Sequence, residues 1–349
     1  NMVGRKYTTA VTKAPETNII SNGNYYLMMT NSGSGYSKRK DIMVYRWRED
    51  VTIDNTGMFF YIKNINSNEY WSATFEPCKH EGEDYEVIFL PDKCEFKRKD
   101  GNLRTYTEVT VSQEDEGEVR RLSITNSSSH KREIEITSYL EVTLAPYNAD
   151  LVHPAFGNLF IETEFVQEPM CIIASRRPKS KEEKLWLMQT IAVEGKQIGS
   201  VQYETSRVNF IGRNRNLVNP RAMDNDVQLT QSIGAVIDPI ISMRIRVLIE
   251  PGKTCRVAYS TVTANSREKA IQLANKYRNM SNIDRIFQLS WTEVQLEMKY
   301  LGIKSNQVNM YQKMASKILF INDLFKDRYE YITKVNQGQS ALWPYGISG

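Results

Sequence analysis

The sequence predicts a mainly β fold, in which a large antiparallel β-sandwich is followed by an α-helical linker. Up to about residue 260, the chain is a series of short β-branched and aromatic runs separated by polar turns, with no helical period between them. After Asn265, apolar residues recur at helical spacing. The hydrophobic fraction of 41% and the charged fraction of 25% are typical of a globular chain, which excludes disorder as the dominant state.

Three polar turns in the β-rich part, each between two runs of β-forming residues, predict β-hairpins. Asp-Gly supplies the positive φ angles of a type I′ turn, and Pro-Gly and serine-rich segments are also typical of tight turns. This many strands exceeds a sandwich of immunoglobulin size, so we expect a large structure of two sheets. The turns are Asp100-Gly101, Asn126–Lys131 and Pro251-Gly252.

Three amphipathic helices are predicted after the sandwich. The first is expected to start at the N-cap Ser266, the second to end at Gly302, and the third to start at the N-cap Ser305. We interpret their apolar stripes as core-facing rather than as a cofactor site, and we expect them to need partner surface beyond the sheet. The stripes are Ala270, Leu273, Ala274 and Tyr277; Ile283, Ile286, Phe287, Trp291, Val294, Met298 and Leu301; and Val308, Tyr311, Ala315, Ile318 and Leu319.

Charge and hydropathy argue against two classes of partner. The 349 residues include 45 Lys and Arg against 41 Asp and Glu, a formal net charge of +4, with no basic block that would indicate nucleic-acid binding. No run approaches the roughly 18 apolar residues that cross a bilayer, so we expect no membrane partner. The first residues lack the apolar core of a signal peptide, and we therefore expect a cytoplasmic protein.

The cysteines and histidines form no metal or redox motif. The four cysteines include no CxxC pair, and the three histidines include no HExxH spacing. We therefore expect reduced thiols, no metal site and no bound cofactor. The residues are Cys78, Cys94, Cys171 and Cys255, with His80, His130 and His153.

Seven segments of the chain resemble one known family. In collinear order over nearly the whole chain, they are similar to the N-terminal region of glycoside hydrolase family 94. Within that family, they resemble most the 1,2-β-oligoglucan phosphorylases and the phosphorylase modules of cyclic β-1,2-glucan synthases. The segments are Asn22–Ser37, Arg46–Gly57, Tyr70–Pro77, His153–Phe165, Ala235–Val247, Ser266–Tyr277 and Gly338–Gly349.

The resemblance implies an architecture for the chain. Family members begin with a large β-sandwich of the galactose-mutarotase-like type, followed by a helical linker, an (α/α)6 barrel and a small C-terminal β domain. On this basis we expect the sandwich at residues 1–263, the linker at 264–332 and the truncated start of the catalytic barrel at 333–349. The missing remainder of the barrel is then a partner of this chain.

The resemblance also implies a reaction, the inverting phosphorolysis of β-1,2-glucan oligosaccharides to glucose 1-phosphate by a glycosyltransferase-type phosphorylase. One carboxylic acid protonates the glycosidic oxygen while inorganic phosphate, the co-substrate, attacks the anomeric carbon from the opposite face. In the family, the general acid and the phosphate site lie in the barrel, past residue 349. No catalytic residue is therefore assigned here, and we expect the chain to be inactive by itself.

Two groups of residues are expected to contact sugar in an intact enzyme. Near the C-terminus, we expect aromatic rings to stack on pyranose C–H faces and amide or hydroxyl groups to bind sugar hydroxyls. The alternative is that this segment is a structural plug under the barrel. Near the N-terminus, a dense aromatic and basic loop either approaches the barrel mouth or packs structurally. The first group is Gln339, Ser340, Trp343, Tyr345 and Ser348, and the second is Tyr36, Ser37, Arg46 and Trp47.

Other polar motifs are interpreted structurally. The Gly33-Ser34-Gly35 segment is interpreted as a tight turn, because a phosphate loop requires a following helix and a strand-like run follows here. Several carboxylates are interpreted as solvated turn residues or ion pairs, since no second motif supports hydrolysis. These are Glu49, Asp50, Asp54, Glu81, Glu83 and Asp84.

Three functions are consistent with the sequence. The leading hypothesis is the non-catalytic N-terminal region of a β-1,2-glucan phosphorylase, which supports the barrel, contributes to a homodimer interface and guides the glucan. The alternatives are a stand-alone carbohydrate-binding sandwich protein and a part of a cyclic β-1,2-glucan synthase. An unpaired apolar face on the linker helices favours the first, whereas a groove with stacked aromatic residues favours the second.

Overall fold

The fold is given by a computed structural model, which describes residues 3–178, 184–320, 334 and 337–347. Within these residues, nineteen β-strands form two antiparallel sheets, one of ten strands and one of nine. The inward-facing apolar side chains of both sheets meet in a shared hydrophobic core. The predicted mainly β sandwich is therefore confirmed.

Each sheet combines strands from distant parts of the sequence. The first sheet has the spatial order β1 (Arg5–Tyr7), β8 (Asp84–Phe89), β9 (Cys94–Asp100), β10 (Leu103–Val111), β11 (Gly117–Asn126), β19 (Thr254–Ala264), β15 (Trp186–Glu194), β14 (Cys171–Arg176), β13 (Ile161–Val166) and β17 (Gly234–Ala235). The second has the order β16 (Lys196–Ser206), β18 (Pro239–Ile249), β12 (Arg132–Pro146), β5 (Ile42–Tyr45), β4 (Gly35–Arg39), β3 (Tyr25–Thr30) and β2 (Thr17–Ser21), and β12 also pairs with β6 (Phe59–Asn64), which pairs with β7 (Glu69–Ser72).

One of the three predicted hairpins is confirmed. Strands β9 and β10 pair with Asp100 opposite Leu103, so the connection consists of Gly101 and Asn102. Gly101 has a φ of +58°, in the left-handed region that glycine adopts without steric cost. The turn therefore lies one residue later than the Asp-Gly pair alone predicts.

The other two predicted hairpins are wrong, because their turns connect the two sheets instead of neighbouring strands. Strands β11 and β12 flank Asn126–Lys131 but lie in different sheets, and so do β18 and β19 around Pro251-Gly252. The two crossings lie side by side: the N–H of Gly252 donates to the carbonyl of Asn126 (2.7 Å), and the N–H of Asn126 donates to the carbonyl of Lys253 (3.0 Å). Turn residues indicate a chain reversal, which occurs in a hairpin and in a crossing alike.

Helices lie both within the sandwich region and after it. The bounds are α1 (Tyr147–Val152), α2 (Pro154–Asn158), α3 (Arg207–Ile211), α4 (Arg267–Tyr277), α5 (Met280–Leu301) and α6 (Ser305–Leu319). The predicted N-cap Ser266 is confirmed, since its hydroxyl accepts from the N–H of Lys269 (3.1 Å), and Gly302 ends α5 with a φ of +66°. Ser305 is the first helical residue of α6 rather than its cap, which is Lys304.

Helix α4 and the first half of α5 pack on the outer face of the first sheet. Asp284 of α5 accepts hydrogen bonds from Arg121 (2.6 Å) and Arg256 (2.8 Å), two residues of neighbouring strands. The Arg121 guanidinium also lies 4.1 Å from the ring centroid of Phe287, within the range of a cation–π interaction. Charge and apolar packing together therefore fix α5 to the sandwich.

Helix α6 covers the edge strand β2. The side-chain oxygen of Gln312 accepts from the N–H of Ile19 (2.9 Å), and its amide nitrogen donates to the carbonyl of Ile19 (2.8 Å). The Ser316 hydroxyl accepts from the N–H of Thr17 (2.9 Å). These bonds satisfy backbone groups that an uncovered sheet edge would leave open to pairing with another chain.

The apolar stripes of the linker helices face a core only in part. Ile283 and Ile286 of α5 are fully buried, but Trp291 is 51% exposed and Leu301 is 57% exposed on the same helix. In α6, Ile318 is 78% exposed. The expectation of a core-facing stripe is therefore wrong for these three residues and for Tyr311 of α6, which is 50% exposed, because no described part of the chain covers them.

The sandwich passes into the helices close to the expected position. Strand β19 ends at Ala264 and α4 begins at Arg267. The division into residues 1–263, 264–332 and 333–349 stays a prediction, and residues 321–333 lie outside the described part.

Candidate functional site

Four aromatic rings meet on the outer face of the second sheet, where β4, β5 and α1 approach the end of α6. The ring centroid of Trp47 lies 5.2 Å from that of Tyr36, 5.9 Å from that of Tyr147 and 6.2 Å from that of Phe320. Trp47 is only 7% exposed, and its indole N–H finds no hydrogen-bond acceptor among the described residues. Ring packing therefore holds Trp47 in place.

A groove of about 440 Å³ opens beside these rings, and we call it the aromatic groove. Its walls combine three aromatic rings and aliphatic side chains with a few polar groups near the rim. This composition is typical of small-molecule sites, in which apolar walls supply contact area and a few polar groups fix orientation. Its lining residues are Tyr36, Lys38, Asp41, Met43, Trp47, Pro146, Tyr147, Asn148 and Leu319.

Arg46 is occupied by an ion-pair network. Its guanidinium donates to Asp150 (2.9 Å), Glu141 (3.0 Å) and the side-chain oxygen of Asn158 (2.9 Å). Arg48 donates to the other oxygen of Asp150 (2.7 Å). Burial acts to raise the pKa of Asp150, but the hydrogen bonds and charges of the two arginines outweigh it and hold the pKa below its usual value.

The four predicted N-terminal contacts thus fall into three environments. Tyr36 and Trp47 line the aromatic groove, and Arg46 belongs to the ion-pair network. Ser37 is fully buried, and its hydroxyl donates to Glu118 between the sheets, which leaves no exposed atom for a ligand. The sequence did not indicate Tyr147, which lies a hundred residues from this loop and reaches the groove only through the fold.

The predicted C-terminal contacts lie on one short segment. Gln339, Ser340, Trp343 and Tyr345 belong to a 3-10 helix over Gln339–Tyr345, and all four are exposed, with Trp343 at 62% and Tyr345 at 80%. The segment is separate in sequence from the lining of the aromatic groove. Ser348 lies outside the described residues. Sugar contact by this group stays a prediction.

The Gly33-Ser34-Gly35 segment forms the predicted tight turn, and strand β4 follows it. A Cβ atom on Gly33 would lie 2.0 Å from the hydroxyl oxygen of Thr74, so only glycine fits there. Next to this turn, Asp54 accepts from the Ser32 hydroxyl (2.6 Å). Asp54 is only partly exposed, and burial raises its pKa despite this bond, so it is not the fully solvated turn residue that was one of the two expectations.

A second enclosed carboxyl, Glu76, carries no signal in the sequence. Its side chain is only 4% exposed, and its Oε2 has no hydrogen-bond partner in the described part of the chain. Burial raises its pKa to about 7, opposed by the positive charge of Lys79 and reinforced by the negative charge of Asp54. In the folded state Glu76 is therefore mainly protonated below about pH 7 and ionised above it.

Replacing Glu76 by glutamine is expected to stabilise the protein at pH 8 and to have little effect at pH 4. The folded pKa lies above the usual value of 4.5, so the wild type loses stability as pH rises from about 4.5 through 7, whereas glutamine cannot ionise. One pKa unit corresponds to about 1.4 kcal/mol, which sets an upper limit of roughly 3.5 kcal/mol on the gain. Urea unfolding at both pH values measures it.

The matched control for E76Q is Glu49→Gln, which removes a carboxylate at an exposed position. A stability difference between E76Q and the wild type that is the same at both pH values would contradict the assignment of a raised pKa to Glu76.

The linker helices present a second surface, which we call the linker face. Its side chains are large and apolar, and each is at least half exposed. Two open grooves border it, of about 690 Å³ along α5 and about 670 Å³ along α6. The linker face consists of Trp291, Leu296, Tyr300, Leu301, Met310, Tyr311, Met314 and Ile318.

The described residues hold no group of three or more His, Cys, Asp and Glu side chains arranged to bind a metal ion. Cys78, Cys94, Cys171 and Cys255 are all free thiols. In the described helices, no stretch is both long enough and apolar enough to span a membrane.

Comparison with known families identifies the sandwich. Residues 1–280 match the family model of the glycosyl hydrolase 94 supersandwich domain. The chain belongs to glycoside hydrolase family 94. The match covers both sheets, α4 and the start of α5, and therefore includes the aromatic groove except for Leu319.

Curated relatives in family 94 are much longer than this chain. The cyclic β-(1,2)-glucan synthase NdvB of Rhizobium meliloti is 32% identical over 335 residues, which are 96% of this chain and 12% of that protein. Solabiose phosphorylase of Paenibacillus borealis is 23% identical over 62% of this chain and 27% of its own length. N,N′-diacetylchitobiose phosphorylase of Vibrio proteolyticus is 21% identical over 78% of this chain and 34% of its own length. The chain thus spans between 12% and 34% of the length of these relatives.

Proposed function

We propose that this chain is the non-catalytic supersandwich and linker region of a phosphorylase that acts on β-1,2-linked glucan, and that its main task is to hold a catalytic barrel. The linker face supports this proposal. Large exposed apolar side chains concentrated on one part of a chain usually mark a contact with another part of the protein or with a partner. A barrel that follows the linker would cover it.

The length of the relatives also supports a catalytic barrel as the partner of the linker face. Most of each relative lies outside the region that this chain matches. Burying apolar surface contributes about 25 cal/mol per Å², so contact across the linker face would fix the orientation of a barrel relative to the sandwich. The expected homodimer interface and the cytoplasmic location remain predictions.

The proposed substrate class rests on the most similar of these relatives. NdvB, whose name specifies β-(1,2)-glucan, is 32% identical over nearly the whole chain, whereas the solabiose and diacetylchitobiose phosphorylases are 23% and 21% identical over smaller parts. We therefore assign β-1,2-linked glucan to this chain rather than either disaccharide.

In the proposed reaction, a carboxylic acid of the barrel protonates the glycosidic oxygen while inorganic phosphate attacks the anomeric carbon from the opposite face. The bond from that carbon to the leaving sugar breaks as its bond to phosphate forms, which releases glucose 1-phosphate. Phosphate is itself the nucleophile, so no second carboxylate is needed as a base. The chain contributes the position of the barrel, and the general acid lies past residue 349.

The second candidate function is that this chain is a part of a cyclic β-1,2-glucan synthase. The 32% identity to NdvB favours this candidate. The linker face would then hold a barrel inside a longer protein. Assays of the full-length parent separate the two candidates: a phosphorylase releases glucose 1-phosphate as its main product, whereas a synthase forms cyclic glucan.

Replacing Ile318 by aspartate in the full-length parent is expected to lower phosphate-dependent release of glucose 1-phosphate by about tenfold or more. A carboxylate at the linker face must be desolvated when the barrel covers it, which costs several kcal/mol and separates the two parts. The measurement is initial rate with linear β-1,2-gluco-oligosaccharides and inorganic phosphate.

Two controls accompany this variant. Val11→Asp places the same charge at a 72% exposed position, against 78% for Ile318, and should retain activity. The chain of residues 1–349 alone should release no glucose 1-phosphate. Robust release by the isolated chain, or full activity of I318D, would overturn the proposal.

A further inference from the structure

We propose that the aromatic groove is a glucan-binding site on the supersandwich, which holds a pyranose unit of a β-1,2-linked chain. The assignment to β-1,2-linked glucan rests on the proposed function, whereas the groove itself rests on the geometry below. Ligand sites of this kind need apolar walls, a few polar groups and a rigid scaffold.

The walls fit the apolar faces of a sugar ring. Tyr36, Trp47 and Tyr147 border the groove, and Tyr36 and Tyr147 are half-buried, so each keeps part of its ring accessible. Pyranose C–H groups pack on aromatic faces, whereas a purely aliphatic groove would offer no such surface. Burial raises the pKa of Tyr36, which keeps its phenol neutral and able to donate a hydrogen bond.

The polar rim fits a neutral, hydroxyl-rich ligand. Lys38, Asp41 and Asn148 supply hydrogen-bond donors and acceptors, and hydroxyl groups can bind both. The charges of Lys38 and Asp41 are opposite, so the rim carries no net charge. A phosphate or nucleic-acid ligand would require an excess of cationic groups, which is absent from this lining.

The scaffold keeps the groove preformed. Tyr36 lies on strand β4, and Trp47 follows β5 and packs against Phe320 at the end of α6. Tyr147 begins α1, whose Asp150 binds Arg46 and Arg48. Because these elements already hold the rings, little conformational entropy remains to be lost on binding.

Calorimetric titration of residues 1–349 with linear β-1,2-gluco-oligosaccharides tests the proposal. The wild type is expected to bind, and Tyr147→Ala is expected to weaken binding by about tenfold, because one wall of the groove is lost. The exposed rim variant Asn148→Ala should weaken binding by about threefold, since one hydrogen-bonding group is removed. Circular dichroism checks that both variants remain folded.

Tyr300→Ala is the matched control, because it removes an exposed tyrosine from the linker face; its affinity should stay within about twofold of the wild type. No binding by the wild type, or equal binding by Y147A, would overturn the proposal. Equal binding of cello-oligosaccharides would overturn the assignment to β-1,2-linked chains. None of these results changes the expected phosphorolysis by the full-length parent, so a failure of the groove proposal can be distinguished from a failure of the proposed function.

Discussion

Replacing Arg120 by methionine is expected to lower the free energy of unfolding by about 3–5 kcal/mol, because it leaves a buried carboxylate without its counter-charge. The Arg120 side chain is 4% exposed and that of Glu118 is fully buried. Their closest atoms, a guanidinium nitrogen and a carboxylate oxygen, are 2.9 Å apart. Urea unfolding followed by circular dichroism measures the loss.

The position of this ion pair explains the size of the effect. Both residues belong to β11 in the first sheet, and their partners lie on strands β3 and β5 of the second sheet or directly before its strand β6. Glu118 accepts from the hydroxyl of Tyr25 (2.8 Å), and Arg120 donates to the hydroxyl of Tyr45 (3.0 Å) and to the carbonyl of Met58 (2.8 Å). The network therefore connects the sheets through the core, and the low dielectric there makes an unpaired member costly.

Two variants check this interpretation. The double variant Glu118→Gln/Arg120→Met should be more stable than the sum of the single changes predicts, because the isolated charge is removed. Arg177→Met removes an arginine whose side chain is 74% exposed beside Glu162, and should change stability by less than about 0.5 kcal/mol. Additive effects in the double variant would contradict a coupled pair.

Replacing Arg244 by methionine is expected to cost about 3 kcal/mol or more and to release the segment between α3 and β17. Arg244 is 2% exposed, and its guanidinium donates to the carbonyls of Ala222 (2.5 Å) and Val227 (2.8 Å). Its Nε donates to the hydroxyl of Thr137 (2.8 Å). Without the guanidinium, the two carbonyls and the hydroxyl lose these bonds inside the fold.

Limited proteolysis together with urea unfolding measures this effect, since the released segment should be cleaved faster. Lys63 also binds this segment, through the carbonyls of Met223 (2.9 Å) and Asp224 (3.0 Å), so the segment should loosen rather than unfold fully. The control Arg246→Met changes the next outward-facing residue of β18, which is 37% exposed and pairs with Glu135, and should cost less than about 1 kcal/mol. Unchanged cleavage in R244M would refute the proposed anchoring.

The sequence was reliable for features that depend on local chemistry. Ser266 and Gly302 were identified as helix boundaries because a hydroxyl cap and a left-handed glycine act within a few residues of the chain. The hairpin around Gly101 was predictable to within one residue, and the β character of the first part of the chain was likewise predictable. Each of these signals acts between neighbours in sequence.

The candidate site was only partly predictable. Tyr36 and Trp47 were identified from their local density, but Ser37 beside them faces the core, because successive strand residues point to opposite faces. Tyr147 and Glu76 carried no signal in the sequence. Their importance comes from burial and from neighbours that are distant along the chain.

Periodicity, turn chemistry and collinear motifs were sufficient to predict the fold class, the helical linker and the family resemblance. The packed fold was needed to show that two predicted hairpins are crossings between sheets, that several side chains of the linker stripes are at least half exposed, and that three aromatic residues from distant parts of the chain line one groove. Strand pairing and burial depend on contacts between residues far apart in sequence. A turn signal predicts a chain reversal, and an apolar stripe predicts a face that needs to be covered. Which strand pairs after the reversal, and which element covers the face, depends on the packed fold.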